Sequence, residues 1–315
     1  MGRCAVVTHA ERGWLCGTGS IIVRPRAGVD PEFLQRFLAS PATVQALERD
    51  SVGTTMVNLN QKILLSLKVA LPSLKEQRRI AEILGKVDAL RGKRRETIAK
   101  LDLLLQSVFL DMFGDPVSNP KGWPLVPFTE VGEWKSGATP SKSESIYWDG
   151  TFPWVSPKDM KVEAISDAQD HVSELAFEAT NLKRIDPGHL LIVVRGMILA
   201  HSFPTALNIV PVAINQDMKA IEPAVGFDVV YLKAAVDSLK QRILSAVSSA
   251  GHGTCRLSTQ DASSVMVPMP PKSTQEKFKR NVNVLLAVRA QAKLQTERAD
   301  QLFAALQMQA FTGAL

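Results

Sequence analysis

Apolar residues recur every three or four positions along Leu74–Phe113, which is the spacing of one face of an α-helix. Ser73 precedes this stretch and Glu76 follows three positions later, so the two side chains can close a capping box around the first turn. Gly114-Asp-Pro116 then ends the pattern. The sequence therefore predicts one helix of 40 residues, with a length of roughly 60 Å at ~1.5 Å per residue.

A second stretch repeats this pattern near the end of the sequence. It follows Pro270-Pro271, carries the capping sequence Ser273–Glu276 and keeps helical spacing as far as Phe311. Neither stretch is apolar all round, and neither keeps a strict seven-residue repeat. We expect the two helices to pack as an antiparallel pair, because each then buries its apolar stripe against the other. Leu302 belongs to the apolar stripe of the second helix. Packing of each helix on its own domain is the alternative.

The residues between the two predicted helices show shorter patterns. Apolar and β-branched runs bounded by glycine, proline or polar residues predict strands. The predicted strands are Phe152–Val155, His189–Val194, Leu207–Val210 and Met218–Ile221. Phe227–Val247 has helical spacing, and in the first third Ser20–Val23 is strand-like while Phe33–Leu47 is helix-like. The predicted fold class is α/β (α+β) modules combined with two long antiparallel, coiled-coil-like helices.

The first third of the chain matches the last third without a gap at an offset of 198 residues. The coinciding pairs include Pro25 and Pro223, Gly28 and Gly226, Asp30 and Asp228, Gly53 and Gly251, Pro72 and Pro270, Gln77 and Gln275, and Phe113 and Phe311. A repeat of this length indicates a duplicated domain rather than a solenoid. We expect four segments: 1–72, the latter part of a first module; 73–113, the first long helix; 114–270, a complete second module; and 271–315, the second long helix.

Composition narrows the class of protein. Of the 315 residues, 45% are hydrophobic and 22% are charged, which is typical of globular proteins and unlike disordered ones. No run approaches the ~20 apolar residues of a membrane span, and the first residues lack the pattern of a secretory signal. Cys4, Cys16 and Cys255 lack metal-ligand spacing and favour a reducing compartment. We therefore expect a cytoplasmic protein without a membrane partner.

The net charge of +6 is concentrated in the first long helix. Residues 75–100 contain nine Lys or Arg against four Asp or Glu. Such a helix attracts a phosphate backbone, although a solvated helix face has the same composition. Both alternatives stay open.

Polar loops of the second module carry the candidate binding residues. Lys and Arg neutralise phosphates, Ser and Thr hydroxyls bind phosphates or base edges, and several longer side chains bind base edges in the major groove. The phosphate candidates are Lys135, Lys142, Lys158 and Arg256; the hydroxyl candidates are Ser136, Thr139, Ser141, Ser156 and Thr254; the base-edge candidates are Arg195, Gln216, Lys219 and His252. Ordinary structural loops are the alternative, and the tryptophans of this module are better explained as packing anchors than as base-stacking platforms.

Two loops and the first helix carry a family resemblance. The matching sequences are Ser136-Gly-Ala-Thr-Pro-Ser141, Pro153-Trp-Val-Ser-Pro-Lys-Asp159, Leu71-Pro-Ser-Leu-Lys-Glu-Gln77 and Met112-Phe-Gly-Asp-Pro116. Together they resemble the specificity subunits of type I restriction–modification enzymes, over nearly the whole chain. The second helix departs from that pattern at Thr274–Phe278, where the family more often has Glu-Gln followed by a basic pair and Ile.

That resemblance implies recognition rather than catalysis. It implies that each recognition domain binds one half of a split double-stranded DNA target, while the paired helices set the spacing and hold two adenine-methylating subunits. S-adenosylmethionine, ATP and Mg²⁺ are then expected on the methyltransferase and restriction subunits, with no cofactor, metal or catalytic residue on this chain. Because the first domain lacks its opening half, we expect one recognised half-site and association with a second copy or a separate fragment through unpaired strand edges.

Two other classes of function stay open. The sequence has no glycine-rich nucleotide loop ending in Gly-Lys-Ser/Thr, and no Asn/Asp-Pro-Pro-aromatic motif such as resemblance to adenine methyltransferases would require. A helical scaffold or adaptor that binds protein partners would not bind DNA in a salt-dependent way. A stand-alone DNA-modifying enzyme would methylate DNA without any other subunit.

Overall fold

The structure is a computed structural model that describes residues 3–17, 19–51, 61–249 and 254–312. It divides into two compact units. The first comprises Met1–Leu101 together with Ala287–Leu315, and the second comprises Asp102–Leu286. Two long helices, Leu74–Phe113 and Lys272–Thr312, contribute residues to both units. The prediction of two long helices is confirmed.

The helices in chain order are α1 (Pro31–Leu38), α2 (Pro41–Arg49), α3 (Gln61–Ser66), α4 (Leu74–Phe113), α5 (Glu174–Ala179), α6 (Val229–Ser238), α7 (Lys240–Ala246), α8 (Thr259–Ser263) and α9 (Lys272–Thr312). The strands are β1 (Leu125–Pro127), β2 (Gly132–Ser136), β3 (Phe152–Val155), β4 (Ala164–Ile165), β5 (Asp170–Val172), β6 (Leu190–Val193), β7 (Thr205–Asn208), β8 (Ala213–Ile214), β9 (Met218–Pro223), β10 (Ser248–Ser249), β11 (Cys255–Arg256) and β12 (Met266–Pro268). All of these strands belong to the second unit.

The first unit begins with two short capped helices. Asp30 caps α1 and Ser40 caps α2 by accepting hydrogen bonds from backbone amides of the first turn, and each helix starts with a proline. The helix-like segment Phe33–Leu47 is therefore two helices, because the Ser40-Pro41 sequence ends one and caps the next. The prediction of helical structure in this segment is confirmed, but the prediction of one continuous helix is wrong.

The strand expected at Ser20–Val23 is absent. Ile21, Ile22 and Val23 are exposed, and the described residues of the first unit contain no strand that could pair with them. A strand needs a neighbour to satisfy its backbone N–H and C=O groups, and a strand-forming composition cannot replace that neighbour. The described residues of this unit therefore show no unpaired strand edge.

In the first unit, α4 and α9 pack antiparallel. The Arg91 guanidinium donates to the Asp300 carboxylate at 2.5 Å, whereas Arg94, further along α4, donates to the carbonyl of Gln295, earlier on α9, at 2.7 Å. Arg91 also lies over the ring of Phe303, which is nearly buried. The predicted antiparallel pair is confirmed. Leu302 was expected in the buried stripe, but its side chain is 57% exposed, because its neighbour Phe303 occupies the inward position.

In the second unit, the two long helices meet through aromatic rings. Phe109 and Phe113 of α4 lie 5.7 and 5.3 Å from Phe278 of α9, measured between ring centroids. Tyr231 of α6 packs edge-on against Phe113 at 4.7 Å, and its hydroxyl donates to the carbonyl of Pro268. This cluster joins the helix pair to the core of the α/β module.

The core of the second unit is a five-stranded mixed sheet in the order β2-β9-β6-β7-β4. Strand β6 is antiparallel to both of its neighbours, and all four of its residues are buried. Burial on both faces explains why its sequence, Leu190–Val193, is continuously apolar. A three-stranded sheet, β5-β3-β8, lies in the same unit, and β1 pairs with β12 and β10 with β11.

Most strand predictions hold, with shifted bounds. β3 is found as predicted, β6 is shorter than the expected 189–194, and β9 continues from Met218 to Pro223. The strand expected at 207–210 begins two residues earlier, at Thr205, and ends at Asn208, whose side chain donates to the carbonyls of Asp186 and Val210 in a turn. The helical segment 227–247 breaks at Leu239 into α6 and α7.

In each unit, a buried glutamine of the long helix forms hydrogen bonds with the residues that precede a short helix, α1 in the first unit and α6 in the second. In the first unit, Gln77 of α4 accepts from the amide of Asp30 at 2.9 Å and donates to the carbonyls of Gly28 and Pro72 at 3.0 and 2.8 Å. Gly28 has a φ of +86°, a backbone conformation that glycine adopts without a steric penalty. We call Gln77 and these three partners the first glutamine joint.

The second unit contains the same arrangement. Gln275 of α9 accepts from the amide of Asp228 at 2.8 Å and donates to the carbonyls of Gly226 and Pro270, each at 2.7 Å. Gly226 again has a positive φ, +109°. These four residues, the second glutamine joint, stand 198 positions after those of the first. The 198-residue offset of the internal repeat is derived from sparse identities. The matching hydrogen bonds of the two joints have the same offset.

Candidate nucleic-acid interface

Three loops of the second unit converge on the end of β8. The amide of Ala138, after β2, donates to the carbonyl of Ile214 at 3.0 Å, and the amide of Asn215 donates to the carbonyl of Val155, at the end of β3, also at 3.0 Å. Gly137 permits this approach, since a Cβ atom there would lie 2.0 Å from the Ile214 oxygen. The loops after β2, β3 and β8 are thus joined by their backbones.

The short turn between β8 and β9 joins this group of loops to the end of β6. The Asn215 side-chain oxygen accepts from the amide of Asp217 at 3.1 Å. The carbonyl of Asp217 accepts from the amides of Val194 and Arg195 at 2.8 and 3.2 Å. Arg195 therefore leaves the buried strand at the same edge of the sheet as the three loops.

The residues around β11 complete this edge. The amide of Leu257 donates to the carbonyl of Val194 at 2.9 Å, and the amide of Gly196 donates to the carbonyl of Cys255 at 3.0 Å. Arg195 and Arg256 are thereby directly opposite each other in an antiparallel bridge. Side chains of directly opposite residues project to the same side, so the two guanidinium groups share one face.

Six of the predicted binding residues meet here, and we call them the basic edge. They are Ser136, Thr139, Arg195, Gln216, Lys219 and Arg256. The Lys219 ammonium donates to the Ser136 hydroxyl at 2.5 Å, and the Thr139 hydroxyl donates to the Gln216 side-chain oxygen. Residues as far apart in sequence as 136 and 256 are therefore assembled on one surface.

Positive charge is concentrated on the basic edge. Burial lowers the pKa of the Lys219 ammonium below its ordinary value, and the neighbouring charge of Arg256 lowers it further. Among the cations of the basic edge, Arg195 has a carboxylate partner, since Oδ1 of Asp217 lies 2.6 Å from its Nε. Lys219 and Arg256, two cations without a carboxylate partner among the described residues, thus lie near each other. Phosphate would neutralise both.

Lys135 lies apart from the basic edge, although it is the neighbour of Ser136. Successive residues of a strand point to opposite faces, and its ammonium donates to the Glu222 carboxylate at 2.6 Å and contacts the His189 ring nitrogen at 3.1 Å. The hydrogen bond from Lys135, together with its charge, lowers the pKa of Glu222. The charge of Lys135 is therefore already compensated within the protein.

The loop after β3 is held by Asp159. One carboxylate oxygen of Asp159 accepts from the amide and the hydroxyl of Ser156 at 2.8 and 3.0 Å, and the other accepts from the amide of Gln169 at 2.9 Å. Ser156 is buried by this arrangement, whereas Lys158 at the tip of the loop is exposed. Lys158 is thus accessible beside the basic edge, and Ser156 shapes the loop.

Tryptophans hold the loop that follows β2. Trp148 donates to the carbonyl of Ser141 at 3.0 Å, its ring lies 6.0 Å from the Lys142 ammonium, and it packs edge-on against Trp154. Trp154 in turn donates to the carbonyl of Ala138 at 3.0 Å. These contacts agree with the expected role of the tryptophans as packing anchors and place Ser141 and Lys142 on a fixed loop.

The remaining candidates lie around β11. Thr254 directly precedes Cys255 and is partly exposed, while His252 lies outside the described residues. Asp217, Asn215 and Asp159 were missed by the sequence analysis, because an acidic or amide residue in a polar loop carries no local signal of the side chain it will position. Whether the thirteen candidate residues contact DNA stays a prediction.

The basic stretch 75–100 of α4 is largely compensated by acidic neighbours. Arg79 pairs with Glu76, Lys86 with Glu82 and Lys100 with Glu96 within the helix, and Arg78, Arg91 and Arg95 pair with aspartates of other segments. Pairs of this kind are typical of a solvated helix. The geometry therefore favours the solvated-face interpretation over phosphate attraction for this helix.

The described parts of the chain contain no group of three or more His, Cys, Asp or Glu residues suited to hold a metal ion. A search of the described helices for one long and apolar enough to cross a membrane found none.

Comparison with known proteins identifies the class. The family described as "Type I restriction modification DNA specificity domain" matches residues 2–100 and 120–302. The chain therefore belongs to this family, and the predicted type I specificity subunit is confirmed at that level. The family description assigns DNA specificity, as expected from the sequence.

Individual relatives agree with this class. The specificity subunit of the type I restriction enzyme EcoR124I/EcoR124II from Escherichia coli is 34% identical over 150 residues, which are 47% of this chain and 37% of that subunit. The chain thus matches well under two thirds of the length of this relative. An S subunit from M. genitalium shares the fold, with a TM-score of 0.56 and 21% identity over 90% of this chain and 73% of that one. A structure of type I R-M complex assembly gives a TM-score of 0.62 and 20% identity over 91% and 72%.

Proposed function

We propose that this chain is the DNA-recognition subunit of a type I restriction–modification complex, and that it directs methyltransferase and restriction subunits to a double-stranded target. The observation that supports this proposal is the basic edge, where three loops and two strand ends bring hydroxyl, amide and cationic side chains onto one surface. Phosphate contacts hold a protein in register on a duplex, and base-edge contacts supply the sequence information. The basic edge has residues of both kinds.

The partner subunits would supply the chemistry. Adenine methylation and ATP-driven restriction need S-adenosylmethionine, ATP and Mg²⁺, which we assign to the methyltransferase and restriction subunits. The antiparallel helix pair is the proposed docking element for these subunits. It is long, and its outward residues include exposed apolar side chains such as Leu103, Leu104 and Val284.

We further propose that the chain recognises one half-site through the complete module 114–270. At the positions that match Asp217 and Lys219 of the basic edge, the first module has Gly19 and Ile21, which can neither pair with an arginine nor bind a phosphate. A second copy of the chain would then supply the other half-site, and the combined target would be symmetric.

Salt-dependent DNA binding tests the proposal. Binding of the full chain to a mixed-sequence duplex should weaken steeply with salt, and Lys219→Ala and Arg256→Ala should each reduce the slope of log K against log salt by about 0.9 for a lost phosphate contact. Lys183→Ala is the control, because Lys183 is an exposed lysine of the same unit outside the basic edge. Salt-insensitive or absent binding would favour the adaptor alternative, and equal effects of all three variants would remove the basic edge from the interface.

A further inference from the structure

Resting on the proposed DNA-recognition function, we propose that Arg195 recognises a guanine base in the target, and that Asp217 is the positioning residue that orients it. Arg195 follows the buried strand β6, and its side chain is 49% exposed on the basic edge. Its backbone position is fixed, since its amide donates to the Asp217 carbonyl and its neighbours pair with residues 255 and 257.

The carboxylate of Asp217 holds one side of the Arg195 guanidinium. The Nε of Arg195 donates to Oδ1 of Asp217 at 2.6 Å, a charge-assisted hydrogen bond. Asp217 is itself positioned, because its amide donates to the Asn215 side chain and its carbonyl accepts from two amides at the end of β6. A long arginine side chain would otherwise sample many rotamers. Here the hydrogen bond to Nε restricts the orientation of the planar guanidinium group.

The two terminal amino groups of Arg195 remain available. In the described part of the chain, Asp217 is the hydrogen-bonding partner of this guanidinium, and it occupies only Nε. The terminal groups form a planar fork that matches a pair of acceptors. In the major groove, guanine presents such a pair at O6 and N7, whereas adenine presents one acceptor beside a donor and cytosine presents a donor.

Phosphate also offers two acceptors, and the charge of Asp217 decides between the two ligands. A carboxylate in contact with the guanidinium cancels much of its attraction for an anion and repels the phosphate itself. It does not repel an uncharged base edge, and it strengthens the planar orientation that bidentate recognition needs. Lys219 and Arg256, which lie near each other and have no carboxylate partner among the described residues, suit phosphate better.

The test is selection of bound sequences from a library of random duplexes by the full chain. We expect a motif with a guanine at one column. Arg195→Ala should reduce the preference for guanine at that column by roughly 5- to 150-fold and leave the other columns unchanged. Arg195→Lys keeps the charge but lacks the fork, so it should lose most of the same preference. Arg242→Ala, which removes an exposed arginine of α7, should change no column.

Two further measurements separate the base contact from its alternatives. Replacing that guanine by 7-deazaguanine, which lacks the N7 acceptor, should weaken binding of the unmodified chain and have no effect on Arg195→Ala. Asp217→Asn should weaken the preference at the same column only, with circular dichroism confirming an unchanged fold.

Each contrary outcome has a distinct meaning. A uniform loss of affinity over all sequences in Arg195→Ala, with a smaller salt slope, would make Arg195 a phosphate ligand and overturn the inference while leaving the proposed function intact. A motif without guanine would also overturn it. A library that yields no motif and no salt-dependent binding would contradict the proposed function itself.

Discussion

The two repeats of this chain share their glutamine joints and the short helices beside them, because α1, α2 and α3 lie 198 positions before α6, α7 and α8 to within one or two residues. They differ in their strands. Gln77 and Gln275 make the same three hydrogen bonds with residues 198 positions apart. The second repeat includes a five-stranded sheet that carries the basic edge, whereas the described residues of the first repeat include three short helices and no strand. The attachment of a module to its long helix is therefore encoded independently of the surface that the module presents.

The helix pair shows a related contrast. Its part in the first unit combines a small apolar cluster, which includes Leu84 and Phe303, with the ion pairs of Arg91 and Arg95 with Asp300. Its part in the second unit is held by the rings of Phe109, Phe113 and Phe278. Buried aromatic contacts stabilise more than partly exposed ion pairs do. We therefore expect the helix pair to be more resistant to unfolding in the second unit, and three sets of substitutions test this difference and the equivalence of the joints.

The largest effect is expected from Phe113→Ala. The ring of Phe113 is buried among Phe109, Tyr231 and Phe278, so its removal leaves a cavity and should cost about 3–5 kcal/mol in the free energy of unfolding. Phe311→Ala is the matched variant at the equivalent repeat position, where the partly exposed ring packs edge-on against Phe33 and Phe37. It should cost about 1–2 kcal/mol. Denaturant unfolding measures both, and equal costs would remove the contrast between the two ends.

The next effect comes from the glutamine joints. Gln275→Leu leaves the amide of Asp228 and the carbonyl of Gly226 without their partner, which should cost about 2–4 kcal/mol. Gln77→Leu should cost a similar amount in its own unit. Amide hydrogen exchange resolves the two, since Gln275→Leu should accelerate exchange over 226–238 and Gln77→Leu over 28–38. Acceleration of both segments by either variant would show that the joints do not act independently.

The smallest effect is expected from Asp300→Asn. Hydrogen bonding by Arg91 lowers the pKa of the Asp300 carboxylate, so the carboxylate contributes stability at neutral pH that is lost as the pH falls through its folded-state pKa. Because the pair is partly exposed, we expect a cost of about 0.5–1 kcal/mol. The difference from the unsubstituted chain should be present at pH 7 and shrink steadily below about pH 4. A pH-independent difference would show that the effect is one of packing rather than charge.

The sequence predicts local features and the antiparallel helix pair of this fold, but it does not predict which loop side chains and strands pair with each other. The bounds of α4 follow from a repeating apolar pattern and a glycine stop, which are properties of neighbouring residues. By contrast, the sequence predicts Lys135 as a phosphate ligand, whereas in the structure its ammonium is bound to Glu222, 87 positions away. The strand-like Ser20–Val23 shows the same limit, because its composition suits a strand but nothing in the described unit pairs with it.

The candidate site was predicted as a set of residue types rather than as an arrangement. Six of the thirteen candidates meet at the basic edge, because the loops that carry them follow strands ending at the same side of the sheet. The role of Asp217 depends on the pairing of β6 with β9, which no property of residues 215–219 reveals. Sequence patterns indicated the chemistry, and only the strand order shows which groups act together.

Gly137 has a consequence for how such a module can diversify. A side chain there would collide with the backbone of Ile214 and Asn215, so this position fixes where the loop sits on the sheet. Thr139 and Gln216, which follow Gly137 and Asn215 in sequence, are joined to each other by a side-chain hydrogen bond. Among related modules we therefore expect glycine to be retained at position 137. We expect the residues at positions 139 and 216 to vary. New target preferences could then arise by single substitutions that leave the scaffold undisturbed.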